Sequence, residues 1–352
     1  MEEIKNIDQA KNLKTNSTKK IIIIGFIAVL IIGGGYFLAN KFLFKKEEAL
    51  NYQPAQDSTK LAFDKEGMIN DPFSDLNGPF YHKVYKATSK DGIKFTKTNE
   101  LIMDKASVPD VVKLNDGTLF IYAVDGAQRS NSGLMVARSK DDGKTWEQGS
   151  LQVKTERTKY SIGADPQAVL LDDGKIRLYY LVFSDTKPPM DETGKPIPTG
   201  EKQKIKSALS TDGINFTEEE GSRYEMTEIW TDPDVIKIGS KWFMYLSEGS
   251  KNMALTSTDG MSFTLEKAIR TDGAISKTIK TDDNKYRQFY CKNGISSAVT
   301  TDGFIFTNEV VSLESASNEI LCDPTPVKVD NKWLMFYKAA QPRQDGGQKP
   351  LQ

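Results

Sequence analysis

The chain has 352 residues, with 47 lysines and arginines against 48 aspartates and glutamates. That balance lacks the basic excess of a nucleic-acid carrier, and 27% charged with 38% hydrophobic residues is the mixture of a folded chain rather than a disordered one. One histidine, His82, excludes a multi-histidine metal centre and leaves histidine-based catalysis a single imidazole, and two cysteines are too few for a zinc cluster or a disulfide-dense scaffold. No motif asks for a cofactor or supplies a metal-ligand set; calcium has no motif either and is left open.

In chain order, residues 1–20 read as a cytoplasmic tail. Ile21 to Ala39 carries no charge, and its roughly 19 residues, at about 1.5 Å each, reach across a hydrocarbon layer of about 30 Å. A cleaved secretory signal is the alternative; the length of the run and the lack of a small-x-small cleavage site oppose it. Lys5, Lys11, Lys14, Lys19 and Lys20 precede the span, against Lys41, Lys45 and Lys46 after it, so the expected topology is a single pass at the cell membrane, with a cytoplasmic N-terminus and a monomeric extracytoplasmic body. Residues 40–78 read as a polar linker and 341–352 as a tail.

Between them, 79–340 repeats. A turn signature recurs five times, at Ser89-Lys-Asp91-Gly92, Ser139-Lys-Asp141-Asp-Gly143, Ser210-Thr-Asp212-Gly213, Ser257-Thr-Asp259-Gly260 and Thr300-Thr-Asp302-Gly303, each followed by an aromatic residue. Ser and Asp cap turn amides while Gly takes a positive φ, so each is a structural hairpin turn. Alternating with these turns are hairpins that open on an acid, run through β-branched residues to a polar turn, and return through aromatics. They start at Pro109-Asp110, Asp165-Pro166, Asp232-Pro233 and Asp323-Pro324, with a degenerate copy at Asp272. The first turn has no acidic hairpin before it and the last acidic hairpin has no turn after it. An all-β, five-bladed propeller is therefore expected, its last blade closed by strands from both ends of the body and preceded by the membrane helix.

The Ser139–Trp146 stretch resembles the Asp-box (BNR) signature of sialidases position for position, and with five units and Asp-Pro hairpins, residues 79–340 resemble the five-bladed glycosidase-type propellers of the arabinanase, β-xylosidase and fructosidase kind. The resemblance implies that Asp110, Asp165, Asp232, Asp272 and Asp323 converge at one mouth of the central channel, with the Ser-x-Asp turns on the opposite rim. It implies catalytic roles for Asp110 and Asp165. The axial glutamate of those families is missing, which leaves Glu228 or Glu248 to supply the acid. Asp232, Asp323, Arg129, Tyr160 and Trp230 are the candidate substrate contacts. A ring of carboxylates beside aromatics suits a carbohydrate, and crowding raises carboxylate pKa values. Asp beside Pro is equally a plain turn-former. Ile69-Asn70-Asp71-Pro72 is similar to the fructosidase nucleophile motif but lacks its Asn-Gly, and the arginine triad of sialidases is absent. The Pro-rich insertion between Asp185 and Lys204 reads as a pocket-side loop or a surface excursion, and Cys291 and Cys322 fall at one rim, paired or free.

The expected function is that of a membrane-anchored, glycoside hydrolase-like protein acting on or binding a glycan. The alternative is a non-catalytic propeller binding carbohydrate or protein at the cell surface.

Overall fold

The computed structural model describes residues 60–156, 163–182, 202–281, 285–317 and 319–340. The N-terminal tail, the apolar run, most of the proline-rich insertion, Tyr160 and the C-terminal tail lie outside the described residues; among those described, no helix is long and apolar enough to cross a membrane.

Five sheets, antiparallel apart from one added strand, form the body. The first blade runs β3 (Ala106–Lys113), β4 (Leu119–Asp125), β5 (Leu134–Ser139), β6 (Glu147–Ser150) from the axis outward. The second is β8 (Gly163–Leu170), β9 (Ile176–Val182), β10 (Gln203–Ser210), β11 (Asn215–Glu218), with β7 (Gln152–Lys154) added in parallel to β11 and β12 (Tyr224–Met226) pairing β10. The third is β13 (Thr231–Ile238), β14 (Lys241–Glu248), β15 (Lys251–Ser257), β16 (Thr264–Arg270), and the fourth is β17 (Ala274–Lys280), β18 (Tyr286–Cys291), β19 (Ile295–Thr300), β20 (Thr307–Leu313). The fifth joins both ends of the body: β21 (Ile320–Val329) and β22 (Lys332–Ala340) on the inside, β1 (Lys83–Ser89) and β2 (Thr96–Asp104) on the outside, with β1 and β22 in register from Lys83 opposite Ala339 to Ser89 opposite Trp333. The inner strands touch in the cyclic order β3, β8, β13, β17, β21 and back to β3, so the ring is closed.

The sheets pack through apolar residues buried on both faces of the second strands, as in Leu119–Ala123 and Leu334–Tyr337. The five hairpin turns sit on the rim away from the inner-strand starts. In each, the hydroxyl of Ser or Thr accepts from the glycine amide and donates to the aspartate, whose carboxylate takes the next amides; at Ser139 these contacts are 2.9 Å to Gly143 N and 2.8 Å to Asp141. Three tyrosines at one position of successive second strands lock each turn to the preceding blade: Tyr122, Tyr179 and Tyr245 donate to the carbonyls of Gly213, Gly260 and Gly303.

Part of the expected linker is instead docked. Leu61 is buried, Ala62 O accepts from Ser150 N, the Asp64 carboxylate accepts from Asn131 N and Gln152 Nε2, and Met68 N donates to Ala127 O. Apolar contact and satisfied backbone groups hold the segment along the first blade from Leu61 onward.

Candidate functional site

Each inner strand breaks its pairing at the same place, so that one extra residue is accommodated between Ser107 and Asp110, Ala164 and Gln167, Thr231 and Asp234, Ala274 and Ser276, and Cys322 and Thr325. The bulged residues are Val108, Asp165, Asp232, Ile275 and Asp323, all in the left-handed region with φ between 49° and 56°. Two residues later, one layer deeper in the channel, stand Asp110, Gln167, Asp234, Lys277 and Thr325.

This register corrects the expected ring. Asp110 belongs to the deeper layer, and Val108 takes the rim position in its blade. There Asp110 accepts from Ala168 N at 2.7 Å and Thr325 Oγ1 at 3.1 Å and pairs with Lys277 Nζ at 2.6 Å, so it ties together blades one, two, four and five. Asp272 is also outside the ring: it pairs with Lys292 at 2.7 Å, and Ile275 occupies its place.

The rim layer brings together Asp165, Asp232 and Asp323. With the prolines beside them and Gln167 and Lys277 below, they line a cavity of about 30 Å³. Asp165 accepts from Asp232 N at 3.3 Å, Asp232 accepts from Thr231 Oγ1 at 2.5 Å, and Asp323 lies 2.7 Å from Lys338 Nζ. Apart from that ion pair, the buried Asp323 carboxylate has no hydrogen-bond partner among the described residues.

Burial raises the Asp165 pKa to about 6, aided by the charge of Asp323 against the opposing pull of the Asp232 amide and Lys338. Burial, then the charges of Asp165 and Asp323, push Asp232 well above the usual carboxylate range. Burial alone would lower the Lys338 pKa, but the three aspartates hold it above the ordinary lysine value. His82 lies at the same end, with Nδ1 2.8 Å from Ser107 Oγ; burial and the nearby Lys338 charge drop its pKa to about 3, so it is neutral at physiological pH. The arrangement therefore gathers three carboxylates in a single small cavity, with proton affinity raised in two of them.

The other candidates lie elsewhere. Glu228 is exposed and accepts from Thr227 N and Oγ1 at 3.2 Å, Glu248 lies 3.4 Å from Lys251, and neither lines the axial cavity. Arg129 is committed to Asp125 at 2.9 Å and stacks over Phe63 at 4.3 Å. Trp230 is 5% exposed, stacked on Tyr224 in a core with Met226 and Val235, which makes it packing rather than a pocket wall. Lys338, Lys277 and Gln167 escaped the sequence reading; no motif marks Lys338, while the other two become visible once the bulges are aligned.

No family model matches the chain, and no curated protein matches it. Among solved structures it is similar to a protein of unknown function from Dyadobacter fermentans (17% identity, TM-score 0.47, covering 73% of this chain and 83% of that one). It is also similar to a family 117 glycoside hydrolase of the marine bacterium Zobellia galactanivorans (15% identity, TM-score 0.44, 79% and 90% covered). A thermostable family-43 glycoside hydrolase is a third (14% identity, TM-score 0.47, 69% and 96% covered). Likeness at this level does not transfer chemistry.

Proposed function

We propose that the propeller is a glycoside hydrolase-like protein that binds a glycan over the Asp165–Asp232–Asp323 end of its channel and cleaves it there. The observation that carries this reading is the split between Asp165, with a pKa of about 6, and Asp232, well above the carboxylate range. Glycoside hydrolysis needs one protonated and one ionised carboxyl beside the scissile bond. In this reading Asp232 is the acid that protonates the leaving oxygen and takes the place of the missing glutamate. Asp165 is the base, and Asp323, paired with Lys338, grips a sugar hydroxyl. The cavity of about 30 Å³ has room for a water, the nucleophile of an inverting reaction. The Cys291–Cys322 disulfide and the apolar run Ile21–Ala39 support an extracytoplasmic, membrane-tethered location.

The test is a panel of aryl glycosides with the full-length chain. Hydrolysis should rise as Asp165 loses its proton near pH 6 and fall at the higher pH where Asp232 loses its own. Asp232→Asn and Asp165→Asn should each cut turnover by about 10²-fold or more, with Glu248→Gln unchanged. Turnover insensitive to Asp232→Asn would refute the assignment. A second reading, a non-catalytic glycan-binding propeller, is favoured by one observation: the Asp110–Lys277 pair bridges the channel directly below the cavity, leaving no room for a sugar ring at that level. Glycan binding without turnover across the panel would select it.

A further inference from the structure

The carboxylate end of the propeller carries a loop that core packing does not explain. Nine large hydrophobic residues are exposed among those described, and five of them, Met68, Ile69, Phe73, Leu76 and Tyr81, fall within a stretch of fourteen. Ile69 is the extreme case at 89% exposed, with Leu76 at 51%. Both ends of the stretch are pinned to one turn after β4. Met68 N donates to Ala127 O at 2.8 Å, and Pro79 O packs on Gly126 so closely that a Cβ there would lie 2.2 Å from it. Residues 69–78 therefore form a closed surface loop whose two ends meet at Gly126 and Ala127. Beside them β4 ends and β3 begins, with Asp125 opposite Ala106. The loop thus stands at the Asp165–Asp232–Asp323 end, away from the Ser-x-Asp turns.

The polar groups of the loop are spent on its own turns. Asp71 accepts from Phe73 N and Asp75 N at 2.9 Å, and Asp75 accepts from Asn77 N at 2.9 Å. Lys105, at the neck, donates to the Met68 carbonyl and lies over the Phe80 ring. What is left facing water is mainly aliphatic, and leaving such side chains exposed forgoes burial energy. Isoleucine and leucine offer a sugar no ring face, so the loop suits a lipid surface better than a glycan.

The preceding chain points to the same occupant. The uncharged run Ile21–Ala39 reads as a membrane span, and residues 40–59 separate it from Lys60, where the described chain begins. A polar linker of about 20 residues spans roughly 25 Å as a flexible coil, a reach that keeps the body near any bilayer the span crosses. The chain joins the body at Leu61 and Ala62, on blade one, the blade that carries the loop. Residues 69–78 hold two acids and no basic residue, so anionic lipid offers them no attraction. We infer that this loop inserts Ile69, Phe73 and Leu76 into the interface of a zwitterionic, phosphatidylcholine-like lipid surface, as a second contact beside the span. The inference rests on the membrane tether proposed above and not on glycan cleavage.

The full-length chain reconstituted in phosphatidylcholine vesicles tests it, with flotation reporting the tether by itself. Cys291 and Cys322 are bonded to each other, so an environment-sensitive nitrobenzoxadiazole dye can be placed at Asn70→Cys in the loop. The reference position is Ile305→Cys, 64% exposed beside the Thr300–Gly303 turn on the opposite rim. In floated protein the loop dye should shift to the blue and be quenched by nitroxide lipids. A nitroxide near the headgroup should quench it more than one at the chain end, as burial of about 5–10 Å requires. The reference dye should show neither effect. Adding Ile69→Asp and Leu76→Asp should abolish both signals at the loop dye and leave flotation intact; both positions are exposed, so the body should still fold. A blue shift without nitroxide quenching would show that protein, such as a second copy, covers the loop, and would overturn the inference. So would an unquenched, unshifted loop dye, equal quenching at the two sites, or quenching that needs phosphatidylserine. Loss of flotation in the unsubstituted chain would overturn the tether, and this contact with it.

Discussion

Lys277→Met is the substitution that most directly interrogates the closed ring. Asp110 is 4% exposed and Lys277 8%, and their 2.6 Å contact crosses the channel from blade one to blade four. Removing the ammonium leaves a buried carboxylate supported only by Ala168 N and Thr325 Oγ1. An orphaned partner of this kind costs about 3–5 kcal/mol, which for a domain of this size lowers Tm by about 6–20 °C. The loss depends on pH. Burial already raises the Asp110 pKa and Lys277 opposes that rise, so the variant lifts it further above the unfolded value. A carboxyl whose folded pKa exceeds its unfolded pKa destabilises as pH climbs through that window and stops doing so below about 4. The deficit in Tm should therefore be largest near pH 8 and shrink toward pH 4. Adding Asp110→Asn should restore most of it, because the uncompensated charge is then gone. Thermal melts followed by circular dichroism across pH 4–8 decide the matter. A shift under about 2 °C, a deficit independent of pH, or a double variant no better than the single one would refute the cross-channel strut.

Two further outcomes follow from the fold. Cys291 and Cys322 are 31 residues apart, and opening that loop by Cys291→Ser/Cys322→Ser should cost about 3–4 kcal/mol in the unfolding free energy measured with urea. Gly213 and Gly174 both have positive φ, 76° and 81°, but a Cβ on Gly213 would lie 2.7 Å from the Phe120 ring while one on Gly174 meets nothing within 4 Å. Gly174→Ala should cost about 1 kcal/mol, the conformational share, and Gly213→Ala about 1–3 kcal/mol more, the overpacking share. Equal losses in urea titrations would show that the turn does not pack on the neighbouring blade.

The five blades and the shared fifth sheet were legible because turn chemistry repeats: Ser-x-Asp with glycine marks one rim in every unit, and counting those turns against the acidic hairpins leaves one half-unit at each end. The site was only half legible, because the alignment was made on the acids. In blade one the order is Pro109-Asp110, while blades two, three and five read Asp165-Pro166, Asp232-Pro233 and Asp323-Pro324. The prolines mark the bulge. Aligned on them, Val108 falls beside the three rim aspartates and Asp110 drops two residues deeper. Glu228 and Glu248 answered a search for a glutamate acid, and nothing in their local sequence shows that one is exposed and the other faces Lys251. For Arg129 and Trp230 the chain position was informative and the side-chain direction was not: Asp125 captures one and the core beside Tyr224 the other.

The bulges also bear on whether the three rim aspartates are only turn-formers. Aspartate tolerates a positive φ better than most residues, so its presence at such a position needs no further cause by itself. Val108 and Ile275, however, hold the same left-handed conformation in the other two blades, although β-branching makes it costly. Ring geometry therefore imposes the bulge whatever residue stands there. The contacts agree. At the outer turns, Asp91 and Asp212 accept from amides two and three residues ahead, the pattern of a turn-former. Among the described residues, Asp165, Asp232 and Asp323 take no amide of their own following residues; they meet another blade's amide, a threonine hydroxyl and a lysine. Three carboxylates thus stand together at one end of the channel, with pKa values driven upward in two of them, where local structure does not require them. Only Asp165 serves a backbone amide, that of Asp232, so the cost of gathering the three is one that the chemistry proposed for that end would account for.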